Sequence, residues 1–328
     1  MSTEIVNLCL EYSKVYDFPI MIIASRNQVD AYKGYAFTTA DLVSSIKSNE
    51  NYDPNRVLIC RDHCGPYFSD ADKDLNVRKA LDRCLETVKA DVSSGFDLLH
   101  IDVSRVEDAE QERTARTLLD YALDLKPSIV FEFGSEDNTG EGLAKSLSRL
   151  RKQLKFTENY KNSIKFFVSQ TGSLTKHKQV GSFNVETNTK VAEAIHSAGL
   201  LFKEHNADYI LANEVKLRKQ AGVDAINIAP QLGTIQSRII QQLGPQVKES
   251  YDDFVSYVLE QGYWKKWVTD DVKDDRTRFA ASAHYCFNSV KGKKVLAEIR
   301  AKNLPFDELL KKQLFSELDE YRLGYQND

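Results

Sequence analysis

Cysteine is scarce and scattered in this chain. Cys9, Cys60, Cys64, Cys84 and Cys286 are odd in number and form no Cys-x-x-Cys pair, which argues against a disulfide framework and against a cysteine-built zinc site. Long apolar runs are missing too: none approaches the roughly 20 residues that a bilayer-spanning helix needs. The start, Met1-Ser2-Thr3-Glu4, lacks the basic and then apolar order of a signal peptide. Nor is there an excess of positive charge. A net charge of -4 and a pI near 6.0 provide no global field to draw the chain to nucleic acid or to an anionic membrane. The expectation is a cytoplasmic protein of a reducing compartment that binds neither.

What is present is enough apolar residue for a sizeable core. At 328 residues, 42% hydrophobic and 10% aromatic, the chain can build one large α/β domain or two ordinary ones. Short β-rich runs recur at Pro19–Ala24, Val57–Cys60, Leu98–Val103, Ile129–Phe133, Ile164–Ser169, Leu200–Lys203 and Asp224–Ile228. Amphipathic stretches alternate with them: Thr39–Ser48, Leu75–Ser93, Asp108–Leu125, Gly142–Leu154 and Glu186–Ser197. Strand–helix alternation with near-continuous apolar strands predicts a parallel sheet covered on both faces. No dinucleotide glycine fingerprint follows the first strand, which favours a (β/α)8 TIM-barrel-like fold over a doubly wound sheet. Seven strands are legible, one short of a complete barrel; either an eighth is hidden or the barrel is incomplete.

Beyond about Leu243 the composition changes. Asp252–Gln261 and Lys293–Leu318 read as helices, with Tyr263-Trp264-Lys265-Lys266-Trp267 between them. This predicts a barrel over residues 1–243 and a helical C-terminal extension over 244–328, packed on it. The aromatic cluster reads as core or subunit interface rather than as a nucleic-acid stacking surface.

The polar residues that matter lie at strand ends, which converge on one mouth if the sheet is a barrel. They are Ser25-Arg26-Asn27-Gln28; Arg61-Asp62-His63-Cys64-Gly65-Pro66; Asp102; Glu132 and Glu136; Gln170-Thr171-Gly172-Ser173; Lys203 through Asp208; and Asn227. His63 and His205 can share one divalent ion, zinc or manganese, with Glu136 or Gln170 completing the shell. Such an ion polarises a ketose carbonyl, and a carboxylate, Asp62 or Asp102 with Glu132 as a further candidate, moves the proton. Arg26, Asn27, Gln28, Arg61, Thr171, Ser173, Lys203, Asp208 and Asn227 form the candidate substrate-binding set. The Gln170–Ser173 turn is a weak anion-binding signal. His100 alternates with Asp102 but reads as deeper and structural; His177, His196 and His284 read as surface residues. Cys64 has no Cys-His-acid arrangement to make it a nucleophile.

At these residues the chain resembles the family of the non-catalytic subunit of class II tagatose-bisphosphate aldolase. The segments that carry the resemblance are Arg26-Asn27-Gln28-Val29, Arg61-Asp62-His63-Cys64-Gly65-Pro66 and His205-Asn206-Ala207-Asp208-Tyr209. Weaker matches are Gly134-Ser135-Glu136, Gln170-Thr171-Gly172 and Asn227-Ile228-Ala229-Pro230, with Tyr263–Trp267 and Arg276–Arg278 further on. The resemblance implies a (β/α)8 barrel related to metal-dependent class II aldolases, with some members supporting a partner aldolase subunit and others resembling C4 epimerases of ketoses or their phosphates. It implies His63 and His205 as metal ligands, Glu136 and Gln170 as weaker ones, and Asp62 as the catalytic carboxylate with Asp102 second. The family's usual first strand has no counterpart before Pro19. Arg26 and Arg61 replace small residues of the family motifs, and at the mouth they would suit a carboxylate or phosphate; the competing reading is an ion pair with Glu132 or Asp102.

The function expected is therefore a metal-dependent epimerase or aldolase of carbohydrate metabolism acting on an anionic ketose or ketose phosphate, as a homo-oligomer or beside an aldolase subunit. The alternative is a non-catalytic subunit that stabilises a separate aldolase.

Overall fold

The computed structural model describes the chain except residues 33, 135–142, 270 and 327–328, and except the side chains of 143–147. Seven strands form one parallel sheet in chain order: β1 (Ile20–Ser25), β2 (Val57–Cys64), β3 (Leu98–Ile101), β4 (Val130–Gly134), β5 (Ile164–Ser169), β6 (Leu201–Glu204) and β7 (Ala225–Ile226). Helices α1 (Thr3–Tyr16), α2 (Thr39–Lys47), α3 (Val77–Ser94), α4 (Asp108–Leu125), α5 (Leu143–Thr157), α6 (Val185–Ser197), α7 (Ala212–Gln220) and α8 (Gln231–Leu243) alternate with the strands. The sheet curls as a TIM barrel does, but β1 and β7 are its edges, and no described strand bridges them.

Strand alternation sorts the side chains. Ile59, Leu99, Phe131, Phe167 and Phe202 face outward into a core completed by Leu10, Leu42, Val88, Leu118 and Ile195 of the helices. Met21, Ile23 and Ser25 stand in register with Leu58, Cys60 and Asp62, and His100 with Glu132. The inward side runs from apolar residues at the N-terminal end, through a buried Glu132–Lys203 ion pair, to polar residues at the C-terminal end. That end is where βα loops build a site.

Three departures from the sequence reading have local causes. α1 was not legible as part of the alternation; Ser2 caps it by accepting from Ile5 N. β7 is two residues long rather than five, flanked by the bonds Asp224 N to Phe202 O and Asn227 N to Glu204 O. The stretch expected to be one helix over 293–318 is two, α11 (Val290–Ala301) and α12 (Phe306–Gln326). Asn303, at φ 54, ends the first, and Pro305 blocks its continuation.

The C-terminal region adds α9 (Lys248–Gln261), α10 (Asp275–Ser282) and α11, which bury Phe254, Phe279, Val295 and Ile299 against Ile235, Ile239 and Ile240 of α8. α12 returns to pack on α7, α8 and α1. Between the edges β1 and β7, α1 and α12 bring Ile5, Val6, Leu318 and Tyr321 to a cavity of about 1470 Å³ that reaches the polar mouth. Among the described residues, no helix is long and apolar enough to cross a membrane.

Candidate functional site

The centre of the mouth is a bulge in β2. Arg61 pairs with Leu99 and Cys64 with Ile101, so one extra residue is accommodated between them. His63 takes a left-handed backbone, φ 44, a conformation uncommon for any residue but glycine. The bulge turns His63 to the same side as Asp62 where strict alternation would send them apart, a common use of bulges beside active sites. Gly65 makes the turn possible, because a Cβ there would lie 1.7 Å from Asp102 O.

Three imidazoles and two carboxylates meet here. The His63 ring is 5.0 Å from that of His100 and 5.4 Å from that of His205, and His100 and His205 are 5.2 Å apart. His63 Nδ1 lies 2.7 Å from Asp102 Oδ2, and a carboxylate can only accept, so Nδ1 carries the proton. Nε2 of the same ring lies 3.7 Å from Asp62 Oδ1. His100 Nε2 donates to Gly134 O at 3.1 Å. Its Nδ1 accepts a long 3.4 Å bond from His63 N and lies 3.6 Å from Asp62 Oδ1. Asp62 Oδ1 thus sits near two ring nitrogens at more than normal hydrogen-bond length.

The charge balance favours ionised carboxylates. Burial opposes ionisation of Asp62, but His63, His100 and His205 together hold its carboxyl well below the usual range. Burial also opposes Asp102, and the His63 bond outweighs it, so Asp102 too titrates below its ordinary value. Burial pushes the Cys64 thiol up to about 12, which agrees with reading it as no nucleophile.

The donor set suits a divalent ion. One donor atom from each of Asp62, His100 and His205 lies within 4.8 Å of the others, and the same holds for His63, His100 and Asp102. This approaches the spread of ligands bound at roughly 2.0–2.2 Å from one centre. Asp102 behind His63 and Gly134 O behind His100 are the outer partners that fix ring orientation in imidazole sites.

The remaining expected residues divide sharply. Asn27, Gln28 and Asn227 line the cavity with Asp62, His63, Asp102 and His205. Arg26 and Arg61 do not reach the mouth, which corrects the expectation that they bind substrate. Arg61 grips Asp91 of α3 through Nε and Nη2, both at 2.7 Å, and donates through Nη1 to Ala24 O and Val29 O. Arg26 Nη1 donates to Asp72 at 2.5 Å and to Gly65 O. Both side chains are fully buried on the helix side of the sheet, and their partners are not Glu132 or Asp102.

Thr171 and Ser173 are likewise drawn away from the mouth, into a buried network. Thr171 Oγ1 donates to Glu204, and Arg218 bonds both Glu204 and Ser173 Oγ. Gln170 turns its side chain back to accept from Thr171 N and Gly172 N. Asp208 accepts from Ala229 N and Gln231 N and from Thr175 Oγ1, tying the β6 and β7 ends together. Lys203 and Glu132 neutralise each other in the interior layer. Glu136 lies outside the described residues.

Sequence reasoning set His100 aside as structural, yet the fold brings it into the cluster; its alternation with Asp102 was the available signal. It also missed Phe68, whose ring stacks on His63 at 4.8 Å and 4°. His284 was read as a surface residue but is buried, and with Tyr263, Lys266, Trp267 and Tyr285 it forms the cavity wall supplied by the C-terminal region.

Known proteins share sequence and fold with this chain. The family model for the D-tagatose-1,6-bisphosphate aldolase subunit GatZ/KbaZ-like matches residues 2–123. The GatZ subunit of Klebsiella pneumoniae is 20% identical over 307 residues, 80% of this chain and 72% of that protein. Over its first third the chain is similar to that family. The GatZ subunit of Escherichia coli O157:H7 is 30% identical over 104 residues, 30% of the chain but only 24% of that protein, so this match spans about a quarter of the relative's length. The chain also shares its fold with the crystal structure of a "probable tagatose 6 phosphate kinase" from Sinorhizobium meliloti 1021, at TM-score 0.80, 17% identity and 98% and 97% coverage of the two chains. The fructuronate-tagaturonate epimerase UxaE from Cohnella laeviribosi follows at TM-score 0.60, 11% identity and 98% and 80% coverage.

Proposed function

We propose that this chain is a divalent-metal-dependent enzyme that epimerises an anionic ketose or ketose phosphate, or cleaves and rejoins it by retro-aldol and aldol steps. The observation that carries the reading is the convergence of His63, His100, His205, Asp62 and Asp102 in one cluster at the ends of three separate strands, with Asp62, His63, Asp102 and His205 lining the cavity. His63, His100 and His205 would hold the ion, zinc or manganese by the chemistry of the donors. When bound, it would act as a Lewis acid on the ketose carbonyl.

The chain's own residues supply the rest. Asp102 keeps the proton of His63 on Nδ1, so that Nε2 points toward Asp62. Asp62, ionised between the imidazoles, is placed to accept a proton from the substrate and return it. Asn27, Gln28 and Asn227 offer neutral hydrogen-bonding groups on the cavity wall, suited to sugar hydroxyls. The relatives' description as a subunit of an aldolase favours a second reading, in which the chain supports a partner and turns nothing over itself.

One experiment separates these readings. The purified chain is loaded with zinc or manganese and incubated in deuterated water with ketose phosphates and keto-acids. An altered C4 with deuterium there indicates proton abstraction; an altered C4 without it indicates cleavage and re-addition. Product that forms only after a class II aldolase subunit is added rejects catalysis by this chain and favours the supporting role.

A further inference from the structure

Two arginines line the cavity. Arg56 is neutralised by Asp17 and Asp53. Arg105 is exposed, and no carboxylate among the described residues lies within ion-pair distance of it. A solvent-exposed guanidinium with no carboxylate partner, fixed on the wall of this cavity, is free to meet an anion that enters it.

The fold does hold it. Arg105 follows Asp102 and Ser104, whose N–H donates to Asp102 Oδ1. Its guanidinium lies over Phe68, 4.2 Å from the ring centroid. Nη1 donates to Tyr67 O at 2.7 Å, and Tyr67 adopts a left-handed backbone, φ 68. Phe68 also stacks on His63, so Arg105 and His63 both rest on one ring. Among the described residues, only one of its five guanidinium donors is committed to protein.

We propose that Arg105 is the specificity residue that reads the anionic end of the substrate, a phosphate or a carboxylate, one ring's thickness from the histidine cluster. This rests on the function proposed above, and it relocates to the β3–α4 loop a role that Arg26 and Arg61 cannot perform from the helix layer. A planar guanidinium left with paired N–H groups binds two oxyanion oxygens at once. Stacking on Phe68 limits the entropy lost when it does so, because the side chain is already ordered. Neutral ketoses gain nothing from Arg105, so it discriminates among sugars that the metal-ligand cluster would treat alike. The shared ring gives Phe68 a positioning role, since displacing it releases both Arg105 and His63.

The test uses the full chain, wild type and Arg105→Met, titrated calorimetrically with inorganic phosphate and separately with glucuronate, with and without EDTA. Lys176→Met, on the same rim, serves as the charge-matched control. Phosphate or glucuronate affinity at least tenfold weaker in Arg105→Met, and within twofold of wild type in Lys176→Met, supports the assignment. The tighter of the two anions names the natural group. Equal binding by wild type and Arg105→Met, equal losses in the two variants, or no measurable binding of either anion to wild type would overturn it. Because the titration in EDTA needs neither metal nor turnover, its result is independent of whether the chain is a catalyst.

Discussion

His63 donates its Nδ1 proton to Asp102 Oδ2 across 2.7 Å, joining residues 39 positions apart on neighbouring strands. The bond selects the tautomer and aims Nε2 at Asp62. Replacing Asp102 with Asn keeps the shape but loses the charge behind the imidazole. Zinc or manganese affinity in Asp102→Asn should fall about 10–100-fold, read by titration against a chelating dye. Unchanged affinity would place the metal elsewhere.

His205→Ala and His100→Ala should each abolish stoichiometric metal binding, measured by elemental analysis after gel filtration. His100→Ala is the sharper of the two, since the sequence marked it as structural. A His100→Ala protein that folds and retains metal would remove His100 from the ligand set.

Arg61→Ala should destabilise rather than alter substrate affinity. It leaves Asp91 buried and uncompensated and takes donors from Ala24 O and Val29 O. A loss of about 3–5 kcal/mol is expected on removing one partner of a buried pair, measured by urea denaturation. A stable Arg61→Ala protein with raised KM would restore Arg61 to the mouth.

Gly134→Ala should disturb His100. Gly134 has φ +119, and an added Cβ would meet Val168 O at 2.2 Å. The carbonyl that orients His100 belongs to the same residue. Expected are a stability loss of roughly 1–3 kcal/mol and weakened metal binding together. A stability loss with metal affinity intact would argue that Gly134 O does not orient the ring.

Asp208 makes a pH prediction. Burial holds its carboxyl up to about 6, with backbone donors opposing the shift, against about 3.9 in the unfolded chain. A raised folded pKa means that ionisation favours the unfolded state. The stabilisation is complete below about pH 3.9 and is lost as pH rises through about 6. Wild-type stability relative to Asp208→Asn should therefore decline by on the order of 2–3 kcal/mol across that window. A pH-independent difference would contradict the assignment.

Several parts of this were legible from residue order alone. Ile164–Ser169 and Asp108–Leu125 were placed at their observed bounds, because continuous apolar runs and 3.6-residue periodicity are local properties. Asp62, His63 and His205, which the fold brings together, stood out because polar residues directly after a buried strand have few reasons to be there. The misjudged residues share one feature. Arg61 was assigned to the mouth, although alternation sends it to the face opposite Asp62, and burial against Asp91 is a contact with a residue 30 positions away. His100 was judged too deep because the β2 bulge, which brings His63 down to its ring, has no sequence signature of its own.

Residue order by itself determined the strand–helix alternation, the apolar outward faces of the strands and the polar character of their C-terminal ends. These follow from backbone period and from the cost of burying polar groups. Only the tertiary structure decided which of those polar ends became site and which became scaffold. Asp62, His63, His100, Asp102 and His205 meet across the curl of the sheet. Arg26, Arg61, Thr171, Ser173 and Asp208 find partners in the layers around it. A charge or a hydroxyl takes whichever partner the fold brings within about 3 Å, and that partner is set by strand register and a single bulge rather than by its neighbours in the chain.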